Sequence, residues 1–445
     1  MHPPTESALR HIPAAPQKPI IGNTLDIIRN PSGMHHIYAD RLGHVFRVKF
    51  LNEWRISLDK AEALEYILMD PDRLFSSQRG WDTLRDLFSG GLLLRDFEDH
   101  RSHRRLMQTA FRKPAMDHYL ATMAPALQDA VAGWPVGQTL KFYPLIKGLT
   151  LRLGARVFMG MAIDDPETAL LNKDFIDEID ASLAMIRKPL PFTKYRRGLR
   201  ARNRLTRRFA TLIDARRNSD GQDFFSQMCR AVDDDGNGWT DREIIDHFNL
   251  LMMAAHDTTA SALTSMVWLL AEHPEWQDML AKEVDELGSG PFSPEMLDRM
   301  PFTDMVFKEA LRLIPPVPLV PRRAVRDFEW QGVKIPAGSS VTALTGPIMM
   351  SSEYFTDPQN FDPERFSPNR AEDRSHKFAW SPFGGGAHKC IGMHFATMQV
   401  KAFIHAFLGH YQFHLDGTKP VDWIKLPIPK PKNGLPLVLS ARKPL

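Results

Sequence analysis

The sequence predicts a mainly α-helical protein, folded as one large domain over residues 1–445. Three observations carry that reading. An apolar helical pattern runs unbroken from Thr240 to His273. At 1.5 Å per residue that is about 50 Å, enough to cross a whole molecule. Residues 120–230 are helical in pattern, broken at Pro135, Gly148 and Pro189–Pro191. No boundary has the composition of a flexible linker.

Composition bounds the function. Hydrophobic residues make up 43% and charged residues 24%, which excludes wholesale disorder. Lysine and arginine number 56 against 53 acids, a net +3, which gives no global reason to expect a nucleic-acid binder. The two cysteines, Cys229 and Cys390, exclude a disulfide-stapled module and a four-thiolate metal site. The N-terminus lacks the apolar run of a secretory signal, and no stretch approaches 18 uninterrupted apolar residues. The expected protein is soluble and cytoplasmic.

In chain order, residues 1–32 are proline-rich and predict an extended lead-in. Segment 45–58 alternates as a hairpin does. Helices are predicted at 60–69 and 96–112, with a loop from Ser76 to Asp96 between them. The clearest helix opens on Thr240-Asp241-Arg242-Glu243, a capping box in which the threonine hydroxyl and the carboxylate satisfy each other's backbone amides. Pro274 stops it. Helices near 274–287, 303–314 and 391–408 follow, and 421–439 reads as hairpin and loop.

Four constellations could carry chemistry. The first is Phe383-Gly384-Gly385-Gly386-Ala387-His388-Lys389-Cys390. Three glycines give up side-chain packing for close backbone approach and positive φ, and a cysteine leading into a helix is biased toward thiolate, a nucleophile or metal ligand. The plain alternative is a buried small hydrophobe. The run lacks the third glycine of a dinucleotide loop and the Gly-Lys-Ser/Thr of a P-loop. The second is Ala254-Ala255-His256-Asp257-Thr258-Thr259, in the middle of the long helix. An acid and two hydroxyls there are costly unless satisfied, and threonine back-bonding can bend the helix. They form either a structural polar spot or a proton relay into a cavity, with His256 read as a packed core residue. The third is Glu309-Ala310-Leu311-Arg312, a pair on one helix face that is ordinarily solvated, but which Arg365 of Pro363-Glu364-Arg365-Phe366 could extend into an ion network. The fourth is His100-Arg101-Ser102-His103-Arg104-Arg105. His100 and Arg104 share a face that could hold an anion or simply be solvated, and no further ligands come at zinc spacing.

Taken in order, these motifs resemble the cytochrome P-450 family over essentially the whole chain. The resemblance implies a roughly triangular, mainly α fold with small β-sheets. It implies heme b between the long helix and the helix after the cysteine loop. By motif position Cys390 would be the axial thiolate on iron, which pushes electron density into the metal, with Phe383 packed beside it. Asp257 and Thr258 fall on the family's acid–alcohol pair, which delivers protons to dioxygen. Glu309, Arg312 and Arg365 fall on its structural ion network, and His100, Arg104, Arg322 and His388 on its heme-propionate positions. Three positions depart from the common pattern. His388 stands where most members have arginine, which makes its charge pH-dependent. Ala255 replaces a common glycine, and His100 stands where many members have tryptophan.

The implied activity is that of a soluble, bacterial-type heme-thiolate monooxygenase acting on an apolar small molecule, with a terpenoid, steroid or fatty compound favoured. Its electrons would come from a separate ferredoxin and an NAD(P)H-dependent ferredoxin reductase. Their docking face would carry Lys389, Arg101, Arg105, Arg112 and Lys113. Rival readings are a peroxide-driven peroxygenase, which would not need Asp257 and Thr258, and a non-catalytic heme sensor or carrier. Expected pocket walls are the 76–96 loop, residues 183–193, Leu251–Ala255, Pro316–Val320 and Leu426–Pro429. A separate feature is charge. Residues 187–217 hold twelve lysines and arginines against one acid, Asp214. The segment is either a solvated helix paired with acids elsewhere or a basic surface beside Leu190-Pro191-Phe192 for anionic lipid or an acidic substrate. Nucleic acid is not expected, because no recognition motif accompanies the charge.

Overall fold

The computed structural model describes residues 2–162, 165–182, 184, 186–233, 235–417 and 420–442. Leu183 and Met185, within the expected 183–193 wall, lie outside the described residues. The chain forms two compact units.

The first unit gathers residues 2–82, 304–390 and 422–432. Its frame is a five-stranded sheet. The predicted hairpin forms as Val45–Phe50 against Glu53–Leu58, antiparallel with Val45 opposite Leu58. Ser340–Ala343 runs parallel to the second strand, followed by Val320–Ala324 and Phe75–Ser76. The predicted helix over 60–69 forms as Ala61–Met69 and buries Leu64 and Ile67 with Phe75 and Val341 from the sheet. The helix Pro301–Leu313 supplies Glu309 and Arg312. Near the chain start the lead-in is extended only in part. A 3₁₀ turn occupies Ser7–Leu9, a helix Thr24–Arg29, and a second helix opens on Pro31. The prolines thin out after Pro19, and proline at a first helical position starts a helix because its missing amide is not needed there.

The second unit gathers residues 83–303, 391–421 and 433–442. The long helix spans Asp241–Glu272, with the capping box closed at Thr240 and Glu243 and the stop at His273 before Pro274. Around it stand Lys113–Ala132, Phe142–Met159, Pro166–Ser182, Lys194–Arg217, Pro274–Leu287 and Met393–His410. A three-stranded sheet pairs Pro436–Ala441 with Tyr411–Leu415 on one side and Thr139–Lys141 on the other. Helices 166–182 and 194–217 touch where Gly198 has no side chain: a Cβ there would lie 2.1 Å from Ala181 Cβ. Phe209, Phe225 and Phe248 join 194–217 and 224–230 to the long helix edge-to-face.

Local signals misled the reading at three places. Gly148 does not break its helix, which runs unbroken through it. The cost of about 1 kcal/mol against alanine is outweighed by the buried face of Ile146, Leu149, Thr150 and Leu153. The 76–96 segment is not an open loop but a chain of short helical turns in which Leu87 and Phe88 are fully buried. Cys390 does not sit at a helix start, because the last helix begins at Met393, three residues on.

Candidate active site

The glycine-rich loop owes its shape to contacts that exclude side chains. A Cβ on Gly386 would lie 2.0 Å from Leu68 O, and one on Gly385 2.3 Å from the Phe378 ring. Gly384 and Gly386 both adopt positive φ, 68° and 61°, a conformation open to glycine at little cost. The loop then turns through Gly386–His388 and is closed by the Cys390 amide, which donates to Phe383 O at 2.9 Å. Cys390 emerges exposed, while Phe383 and His388 are half-buried. The other cysteine is unlike it. Cys229 is buried, and burial pushes its thiol up to about 12. Only Cys390 can present a thiolate to a ligand. An accessible thiol held on a glycine-rich, backbone-closed loop fits a heme-iron ligand.

In the same unit Glu309, Arg312 and Arg365 come together with side chains fully buried. Arg312 donates to Glu309 Oε2 at 2.6 Å and Oε1 at 2.8 Å, and Arg365 Nε to Oε1 at 3.1 Å. The spare guanidinium hydrogens reach carbonyls of Met349, Pro358, Asn360 and Thr356. Arg365 also meets Glu372 at 2.9 Å, a member that sequence reasoning missed. Arg322 is buried in the strand Val320–Ala324 and donates to Pro321 O.

In the second unit, His100 is buried and Arg104 half-buried on the helix Phe97–Gln108. On the long helix both threonines bond back one turn, Thr258 to Ala254 O and Thr259 to Ala255 O, each at 2.8 Å. Thr258 stays partly accessible, while Asp257 is buried. His256 packs in the core with Nδ1 against Met252 O at 3.0 Å, and burial lowers its pKa, so the ring is neutral at pH 7. Asp257 makes an ion pair that the sequence did not reveal: Lys147 Nζ of the helix Phe142–Met159 lies 2.6 Å from Oδ1. Lys147 is the one lysine of that helix, which also carries Arg152 and Arg156, so the sequence alone did not single it out.

Also missed is a buried polar seam across three helices. Glu178 accepts from Asn249 at 2.7 Å, Arg202 bonds Asp246, and Arg242 reaches the same Asp246 at 2.8 Å. Burial outweighs Arg202 and pushes the Glu178 carboxyl up to about 8. The basic stretch is largely neutralised. Lys194, Arg197, Arg202, Arg204, Arg208, Arg216 and Arg217 each pair with an acid, as in Arg204 with Asp174 at 2.6 Å. That pattern favours the paired, solvated helix over a bare cationic face.

The family model Cytochrome P-450 matches residues 13–436. The chain is 37% identical over 449 residues to the putative cytochrome P-450 136 of Mycobacterium tuberculosis, covering 99% of this chain and 90% of the relative. It is 29% identical to cytochrome P-450 26C1 of Homo sapiens over 96% of this chain and 88% of that protein. Among solved structures, retinoic acid bound cyanobacterial CYP120A1 superposes with a TM-score of 0.87 at 28% identity, over 97% of this chain and 99% of that one. Among the described residues no helix is long and apolar enough to cross a membrane.

Proposed function

The chain belongs to the cytochrome P-450 family of heme-thiolate monooxygenases, and we propose that it oxidises an apolar carboxylic acid of isoprenoid or fatty type with electrons from a separate ferredoxin and NAD(P)H-dependent reductase. The observation that carries the substrate class is the likeness, over almost the whole chain, to a structure holding retinoic acid. The heme supplies dioxygen activation when bound. Cys390 would ligate its iron, and Phe383 would pack beside the thiolate. His100, Arg104, Arg322 and His388 would hold its propionates. Lys389, Arg101, Arg105, Arg112 and Lys113 would face the electron donor. A spectral titration tests the substrate class. The heme band should shift with retinoic acid and long-chain fatty acids at tenfold lower concentration than with the matching alcohols. Equal response to acid and alcohol counts against a carboxylate anchor.

Asp257 would move protons and Thr258 would hold their path, since its hydroxyl is fixed on Ala254 O yet accessible. A well-placed proton donor contributes roughly 10²–10⁴-fold. Asp257→Asn should therefore slow turnover by at least two orders of magnitude. Thr258→Ala should leave heme content intact and divert reduced oxygen to peroxide. Effects under tenfold at both positions would place proton delivery elsewhere. A peroxide-driven enzyme would be indifferent to both changes, and a carrier would consume no NAD(P)H with any donor.

The tip before the 194–217 helix would touch a membrane surface peripherally. Phe192 is fully exposed, Ile186 63% and Leu190 52%, with Lys188 and Arg200 exposed nearby. Vesicles containing anionic lipid should retain the protein at low salt and release it near 0.5 M, where screening shortens to a few ångströms. Lys188→Gln with Arg200→Gln should weaken retention severalfold and leave the heme spectrum unchanged. No retention at low salt would reduce the tip to a solvated turn.

A further inference from the structure

Asp257 meets bulk water only through a narrow opening: its side chain is 6% accessible. Among the described residues, three titratable groups act on it. His256, on its own helix, places Nε2 3.3 Å from Oδ1, but burial keeps that ring neutral. Tyr143, on the helix Phe142–Met159, feels the Asp257 charge, and burial first and that charge second push its phenol far up, so it is a neutral neighbour. Lys147, one turn further along that helix, is 26% exposed and brings Nζ to 2.6 Å from Oδ1, a charge pair at an angle outside hydrogen-bond geometry, so the Oδ1 lone pairs are left for an incoming proton. A lysine suits this position, because its long apolar stem lies along buried surface while its ammonium spans two environments. One side chain therefore touches both the buried carboxylate and the solvent edge.

We infer that Lys147 is the positioning residue of the proton relay: it holds the Asp257 carboxylate by Oδ1 and marks the edge at which each proton enters. This rests on the reading of Asp257 as the proton donor. In each passage one proton leaves water at the Lys147 edge. An O–H bond forms on Asp257 and breaks as the proton moves on past Thr258. Lys147 gives up none of its own protons, and no electrons move. Its work is to fix the carboxylate where it is both reached and ready, since low dielectric makes an unpaired buried charge costly.

The test uses the full-length, heme-loaded protein with Lys147→Met, Lys147→Gln, Lys147→Arg, Asp257→Asn and the double change Lys147→Met with Asp257→Asn. The first readout is the thermal midpoint. Lys147→Met should lower it, and adding Asp257→Asn should recover at least half of the loss, because the cost lies in the stranded carboxylate. The second readout is the peroxide fraction and the solvent isotope effect of turnover. Both should rise at least threefold in Lys147→Met and Lys147→Gln and return to within twofold of the parent in Lys147→Arg, a rescue that lost packing would not produce. Additive midpoints overturn the inference, as do parental peroxide fraction and isotope effect in the two neutral variants. Asp257→Asn with unchanged turnover overturns the relay reading itself, a result that the midpoint series cannot imitate.

Discussion

Cys390→Ser should abolish the red-shifted Soret band of the reduced, carbon monoxide-bound protein. The loss should be complete, because the chain has one alternative thiol and it cannot serve. Cys229 is buried on the short helix Phe224–Arg230, and burial pushes its pKa to about 12. Cys229→Ser should therefore keep the band at full height. The fold should survive the Cys390 change, because the loop's shape does not depend on its sulfur. The Cys390 amide bond to Phe383 O, the positive φ of Gly384 and Gly386, and the packing of Gly385 and Gly386 on Phe378 and Leu68 all remain. Far-ultraviolet circular dichroism should match the parent to within a few per cent. A serine variant that keeps the red-shifted band would remove Cys390 from the iron. A variant that also unfolds would make the thiol structural.

The long helix was legible because its start, its period and its stop agree. Thr240 and Glu243 cap it, apolar residues recur through it, and Pro274 ends it. The cysteine loop was legible because three successive glycines have no local use except close backbone approach, and the contacts of Gly385 and Gly386 supply that use. The failures share a cause. Gly148 is a weak local breaker that the buried face of its helix overrides, and propensity is a weak prior against tertiary packing. Lys147 and Asp257 lie far apart in sequence, as do Glu178 and Asn249, and no periodicity within either helix links one to the other. The basic stretch left two readings open in the sequence, and the ion pairs favour the paired, solvated helix. Its excess charge is real along the sequence, but its acids sit on the neighbouring helix Pro166–Ser182, as Glu167, Asp174, Asp177 and Asp180, and beyond it, as Asp223, Asp241 and Asp246. A helix that looks bare in one dimension is paired in three.

Glu309→Ala should give a protein that takes up little or no heme. In Glu309 one carboxylate holds two guanidinium groups, both fully buried, and it also accepts the Asp362 amide at 2.9 Å. Removing it strands Arg312, whose remaining partners are neutral carbonyls and Met350. Arg365 keeps Glu372, so the damage should centre on Arg312. Breaking a buried pair by deleting one partner costs about 3–5 kcal/mol, a large share of the roughly 5–15 kcal/mol that holds a domain folded. The network binds the helix Pro301–Leu313 to the segment from Met349 to Glu372, in the same unit as the glycine-rich cysteine loop. Loosening it should disorder the setting of that loop before it touches the chemistry. Heme content per mole of purified protein should fall to a small fraction of the parent, with a lower thermal midpoint and no change in the Soret position of whatever heme is retained. Glu309→Asp, which keeps the charge on a shorter stem, should recover part of both. Glu309→Ala with full heme loading and a parental midpoint would show that the carboxylate is dispensable to the fold, and the motif would then need another explanation.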